Sequence, residues 1–135
     1  MFKDFRFHHI GYVTDNIAHT SAFYLDAGYQ KTGNVTDEIQ RVSICFLLRE
    51  GFPRIELIEP VDVNSSVNKI LKKTGVAPYH VCYEVDDIIA AFDELVDVQD
   101  FIPLFRPVEA IALDNRLICY LYRKDVGFIE IVNKT

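Results

Sequence analysis

The sequence predicts an α+β fold built from two tandem copies of one strand–helix–three-strand (βαβββ) module. Three observations carry this. His9-Ile10-Gly11-Tyr12-Val13-Thr14-Asp15-Asn16-Ile17 is echoed by His80-Val81-Cys82-Tyr83-Glu84-Val85-Asp86-Asp87-Ile88, with His, a β-branched residue, a small residue, Tyr and Asp-x-Ile at matching offsets. Ile55-Glu56-Leu57-Ile58 is matched by Ile129-Glu130-Ile131-Val132, 47 residues after the first His and 50 after the second. Within each copy, strand-like alternation gives way to helical spacing after an Asp and then returns.

The chain of 135 residues suits a single domain, residues 1–135. We read a first module over 5–62, a linker with a short helix over 63–77 and a second module over 78–135. Half of the residues are hydrophobic and a quarter are charged, which excludes a disordered chain. A net charge of -6 argues against nucleic acid as a partner. No apolar run is long enough for a membrane span, and Met1-Phe2-Lys3-Asp4 lacks a signal-peptide core. Cys45, Cys82 and Cys119 have no paired spacing, so the expectation is reduced thiols in a cytoplasmic protein.

The elements follow in order. Phe5 to Thr14 reads as a strand. Asp15 is the expected cap of a helix carrying Ile17, Ser21, Tyr24 and Leu25, which Gly28 stops. Tyr29 to Gly33, Arg41 to Leu48 and Arg54 to Glu59 complete the first copy. In the linker, Ser65 or Ser66 caps a short helix, and Lys72 and Lys73 complement its negative end. The second copy reads Pro78 to Val85, then a helix capped by Asp86 with Ile88, Ile89, Phe92 and Leu95 inward. Strands follow at Phe101 to Pro107, Arg116 to Arg123 and Phe128 to Val132.

Strand parity then places the polar residues. Ile10 and Tyr12 should face the helix, leaving His9 and Gly11 on the open, concave face. By the same rule His80, Cys82 and Glu84 face that side, and so do Glu56 and Glu130, each flanked by aliphatic residues. A carboxylate inside an apolar strand is costly unless paired or metal-bound. Two imidazoles and two carboxylates carry −2, which one divalent cation cancels. Such donors suit Ni, Co, Zn, Mn or Fe without selecting among them. His8 has the wrong parity and His19 lies on the first helix, so both read as structural. Glu59 competes with Glu56 but has helix-side parity.

At His9-Ile10-Gly11, Ile55 to Pro60, Tyr79 to Ile88 and Gly127 to Glu130 the chain resembles the vicinal-oxygen-chelate superfamily, its glyoxalase I and methylmalonyl-CoA epimerase branch above all. The resemblance implies a half-open cupped sheet with helices outside, the glyoxalase-like fold. It implies one divalent metal on His9, Glu56, His80 and Glu130, with Glu130 and Glu56 as bases that move a proton next to a carbonyl. Asn115, Arg116 and Cys82 stand where substrate-binding residues are expected. The partner implied is a small thioester or hemithioacetal, and a homodimer is compatible with it.

Pro60 closes a Glu-Leu-x-x-Pro segment as in methylmalonyl-CoA epimerases, where glyoxalase I usually has Asn. Val13 stands where glyoxalase I tends to have Arg. Tyr122-Arg123-Lys124-Asp125 replaces an epimerase-type His-Pro. An acyl-thioester epimerase is therefore the leading expectation. A glyoxalase I-type lactoylglutathione lyase and a metal-free resistance-type binding protein are the alternatives. Lys69, Lys72 and Lys73 offer either phosphate contacts for a CoA ester or a complement to a helix end.

Overall fold

The computed structural model describes residues 4–135, so the reading of Met1-Phe2-Lys3 lies outside the described residues. The chain divides into two compact units, His9–Tyr79 and His80–Thr135, the second also taking the chain up to His8. No helix of the described residues is long and apolar enough to cross a membrane.

The first unit holds β1 (Arg6–Val13) from His9 onward, α1 (Ile17–Asp26), β2 (Gln30–Lys31), β3 (Val35–Asp37), β4 (Val42–Leu48), β5 (Ile55–Pro60) and α2 (Val67–Thr74). Its strands lie in the order β2-β4-β5-β1, with β3 also on β4. β1 and β5 are parallel, Gly11 beside Glu56 and Tyr12 beside Leu57. β4 and β5 are antiparallel, Phe46 opposite Glu56.

The α1 helix starts one residue later than the sequence suggested. Asn16, not Asp15, is the cap: its side chain accepts from the His19 amide, and its carbonyl accepts the first helical bond, from Thr20. Gly28, at φ +90, ends the helical path in a conformation that glycine adopts without strain. Most of the expected helix-side face is present: Ile17, Cys45, Leu47, Ile55 and Leu57 are buried together, with Tyr12, Tyr24 and Tyr29 packed on them, whereas Leu25 is exposed. Each such aliphatic side chain contributes roughly 1.5–3 kcal/mol on burial. The predicted strand Tyr29 to Gly33 is shorter, and a second short strand follows it. Thr32 bridges the gap by exchanging bonds with Phe46, through its own amide at 2.9 Å and its hydroxyl oxygen at 2.8 Å. In α2, Ser66 holds the cap position without a side-chain cap bond, and Lys72 and Lys73 occupy the last turn as expected.

The second unit repeats this plan. β6 (Ala77–Val85) enters it at His80, followed by α3 (Ile88–Asp93), which runs into a π-helical turn (Glu94–Val98). β7 (Ile102–Pro103), β8 (Val108–Ala110), a 3-10 turn (Ile111–Leu113), β9 (Arg116–Arg123) and β10 (Gly127–Asn133) complete it. The order is β6-β10-β9-β7, with β8 also on β9. β6 and β10 are parallel, and β9 and β10 antiparallel. The cap is again one residue late. Asp87 accepts from the amides of Ile89 and Ala90, both at 3.1 Å, and its carbonyl accepts from Ala91. The predicted strand Phe101 to Pro107 is cut to Ile102–Pro103, and a second short strand, Val108–Ala110, follows it on the same partner. Pro103 and Pro107 lack the amide donor a continuous ladder needs, and edge strands are where proline is tolerated. Val85, Ile88, Phe92, Leu95, Phe101, Cys119, Leu121, Ile129 and Ile131 form the core.

A charged network ties this unit together. Glu84 pairs with Arg116 at 2.8 Å and with Arg6 at 3.2 Å, and Arg6 reaches Asp86 at 3.0 Å. Burial works to raise the Glu84 pKa, but the two guanidiniums outweigh it and hold the carboxyl below its ordinary value. A carboxyl with a lowered folded pKa adds stability above its unfolded pKa and loses it as pH falls through the folded one. Glu84→Gln should therefore cost about 1–2 kcal/mol at pH 7, between exposed and buried pairs. In urea melts, the gap to wild type should close below about pH 4. An equal gap at pH 7 and pH 3 would show that the ion pairs are not its source.

Cys45, Cys82 and Cys119 are buried thiols. Burial raises the thiol pKa of Cys45, and that of Cys119 to about 12. A thiol reagent at pH 7.5 should leave Cys45 and Cys119 unmodified in native protein, and all three should react in denaturant. Rapid native labelling of either, read by peptide mass, would contradict the burial.

Candidate functional site

Each unit places one His and one Glu on neighbouring parallel strands, facing away from its helix. In the first, β1 carries His9 and β5 carries Glu56; their side chains are 0% and 3% exposed, with Nε2 and Oε1 3.2 Å apart. In the second, β6 carries His80 and β10 carries Glu130; their exposures are 0% and 2%, and the same two atoms are again 3.2 Å apart. The parallel register builds both pairs alike. Gly11 stands beside Glu56, and Cys82 beside Glu130.

An aromatic ring backs each pair. Phe46, opposite Glu56, meets the His9 ring edge-on at a centroid distance of 5.6 Å. Tyr120, opposite Glu130, meets the His80 ring edge-on at 5.0 Å, with Phe105 behind it at 5.8 Å. Both rings thus pack edge-on against an imidazole that is fully buried. The sequence reading missed both aromatics. Their signal is a shared spacing, each ten residues before its Glu, which the antiparallel hairpin turns into direct opposition.

The donor set fits a divalent cation. Neutral imidazole nitrogen and carboxylate oxygen are ordinary ligands of Zn, Ni, Co, Mn and Fe. A buried carboxylate with its oxygen this close to an imidazole nitrogen offers two donors to one point. The same atoms can also form an ion pair if the imidazole is protonated.

The other expected site residues are placed as follows. Cys82 is buried in the second unit, on the same face as His80. Asn115 is exposed at a turn, with φ +60, and its amide donates to the Ala110 carbonyl. Arg116 is partly buried and bound within its unit: it donates to Glu84 and to the carbonyls of Leu113 and Asn133, and its Nη2 lies 3.3 Å from the His8 ring. It precedes Tyr120 by four residues on β9, roughly 13 Å along the strand. Glu84 is committed to Arg6 and Arg116. His19 is exposed on α1. Glu59 faces the helix side, as its parity required, and accepts from the Ile17 amide at 2.7 Å. Lys69, Lys72 and Lys73 are exposed on α2.

Comparison with known proteins agrees with this arrangement. The chain is 28% identical over 124 residues to the mitochondrial methylmalonyl-CoA epimerase of Mus musculus, covering 90% of this chain and 68% of that protein. It is 29% identical over 92 residues to an ethylmalonyl-CoA/methylmalonyl-CoA epimerase of Cereibacter sphaeroides, covering 67% of this chain and 68% of the relative. Among solved structures, a hypothetical protein of Bacillus halodurans C-125 superposes with a TM-score of 0.86 at 24% identity, covering 98% of this chain and 96% of that one. The methylmalonyl-CoA epimerase of Mycobacterium tuberculosis superposes with a TM-score of 0.83 at 22% identity, covering 96% and 87%. These likenesses show the glyoxalase-type α+β fold. The model of one family matches residues 8–120, a span that holds His9, Glu56 and His80 and most of both units. The chain therefore belongs to the glyoxalase/bleomycin resistance protein/dioxygenase superfamily.

Proposed function

We propose that this chain is a divalent-metal-dependent epimerase acting next to the carbonyl of an acyl-CoA thioester of the methylmalonyl type. The observation that carries the reading is the doubled His–Glu pair, built at the same register and the same 3.2 Å in both units. The curated relatives support the reaction and the substrate class, since both are epimerases of such thioesters by name.

In this reading His9, Glu56, His80 and Glu130 share one cation. When bound, the ion supplies Lewis-acid stabilisation of negative charge on the thioester carbonyl oxygen, worth several kcal/mol. The residues of the chain do the rest. Inverting a carbon next to a carbonyl requires a proton to leave one face and another to arrive at the opposite face, so two bases on two strands suit the task better than one. Glu130 and Glu56 take these parts: one carboxylate accepts the proton and the other, protonated, returns one. A positioned base of this kind contributes on the order of 100- to 10,000-fold. Phe46 and Tyr120 keep the rings in place and exclude water from the strand side.

Purified protein should contain a divalent metal, and Glu56→Ala or His80→Ala should lose metal and activity together, as plasma emission spectrometry and a coupled assay would read. Full metal occupancy in both variants would point to other ligands. In deuterated water, wild type should exchange the proton α to the methylmalonyl-CoA carbonyl, and Glu130→Gln should slow this by at least about 100-fold. If wild type exchanges no CoA thioester but turns over a glutathione hemithioacetal, the lyase reading takes its place. If it is metal-free and inactive on both, the chain is a binding protein.

A further inference from the structure

Three residues beyond each site carboxylate, the same strand makes a second polar contact. On β5, Glu59 follows Glu56, and its Oε1 accepts from the Ile17 amide at 2.7 Å. On β10, Asn133 follows Glu130, and its Oδ1 accepts from the Ile88 amide at 2.9 Å. Ile17 and Ile88 are the first residues of α1 and α3. Each stands eight residues after the histidine of its own unit.

The first amide of a helix has no partner within the helix. Here the caps satisfy the amides after it: Asn16 takes His19, and Asp87 takes Ile89 and Ala90. The first amide is left to an acceptor from another element, and in both units the carboxylate-bearing strand supplies it. The acceptor is a carboxylate in one unit and an amide oxygen in the other, so the shared requirement is the oxygen and its position.

The consequence is mechanical. His9 leads through β1 into α1, and Glu56 leads through β5 to Glu59. The bond between Ile17 and Glu59 closes that loop, and the Thr14 amide on the Ile58 carbonyl lies within it. In parallel strands, a slide of one along the other changes the separation of His and Glu directly. A bond beyond the end of the ladder opposes that slide. The Ile88–Asn133 bond closes the equivalent loop for His80 and Glu130.

We infer that Glu59 and Asn133 are matched positioning residues that lock the sliding register of the His- and Glu-bearing strands and so set the spacing of each ligand pair. The link to ligand function rests on the metal reading above.

The test uses Glu59→Ala, Glu59→Gln, Asn133→Ala and Asn133→Asp in the whole protein, with Phe92→Leu as a core control that lowers Tm while keeping the donor and acceptor of both bonds. Two quantities are read: cobalt affinity by titration, and amide hydrogen exchange along β5 and β10. The alanine variants should exchange faster around Glu56 or Glu130 and bind cobalt about tenfold more weakly, the lower end of what losing an outer-shell partner costs. Gln at 59 and Asp at 133 keep the acceptor and should recover both values, whereas Phe92→Leu should keep wild-type cobalt affinity. Alanine variants that lose Tm but bind cobalt like wild type would overturn the inference and leave two ordinary helix caps. If wild type binds no cobalt or other divalent ion, the metal reading falls by itself. The exchange data then decide the register lock: unchanged protection on β5 and β10 overturns it, and faster exchange there upholds it.

Discussion

The constraint on which the structure depends is the burial of one carboxylate in the middle of an apolar strand, done twice. Glu56 and Glu130 are 2% and 1% exposed, among aliphatic neighbours on both sides. An ionised carboxylate there would be prohibitively unstable without a countercharge and hydrogen-bond donors. The chain answers in both units in one way, with an imidazole on the adjoining parallel strand. The helix on one face, the aromatic wall and the parallel register are what this placement requires around it.

Parallel pairing is central because it lets one crossover set the relation of His to Glu. In each unit the crossover from the His strand to the Glu strand passes through the helix and the edge strands, which differ in detail. The edge is broken by Thr32-Gly33-Asn34 in one unit and by a proline-rich stretch in the other. The helix ends in a glycine turn in one and in a π-helical turn in the other. The His- and Glu-bearing strands show none of this variation: both pairs close to the same 3.2 Å. Such a contrast between a variable periphery and an invariant pair is what a shared chemical task on the two pairs would produce.

Much of this was legible in the sequence because strand parity is a strict rule. A residue of period 2 can face only one of two ways, so His9, Glu56, His80 and Glu130 were separable from Tyr12, Leu57, Tyr83 and Ile131 before any coordinates. The caps were misread by one residue in both copies for one reason. Asp15-Asn16 and Asp86-Asp87 each offer two competent caps in a row, and only the backbone path decides which carbonyl starts the helix. The second edge strands, Val35–Asp37 and Val108–Ala110, were missed because three residues are too few for an alternation to register. The partners of Arg116, Glu84 among them, were not legible because its place along β9 is invisible until the register with β10 is known. Glu59 and Asn133 were hidden because they do one job with different side chains, and a motif comparison sees no identity there.

The central claim is that the two His–Glu pairs serve a single ion. X-ray absorption on cobalt-loaded protein, with the cobalt content measured on the same sample, tests it most directly. The account predicts one cobalt per chain, with a nitrogen- and oxygen-only shell at about 2.0–2.2 Å that includes two imidazoles. Two cobalt ions per chain with one imidazole each would show that the pairs bind separately, and a shell without imidazole would show that they bind no metal; either result contradicts the account.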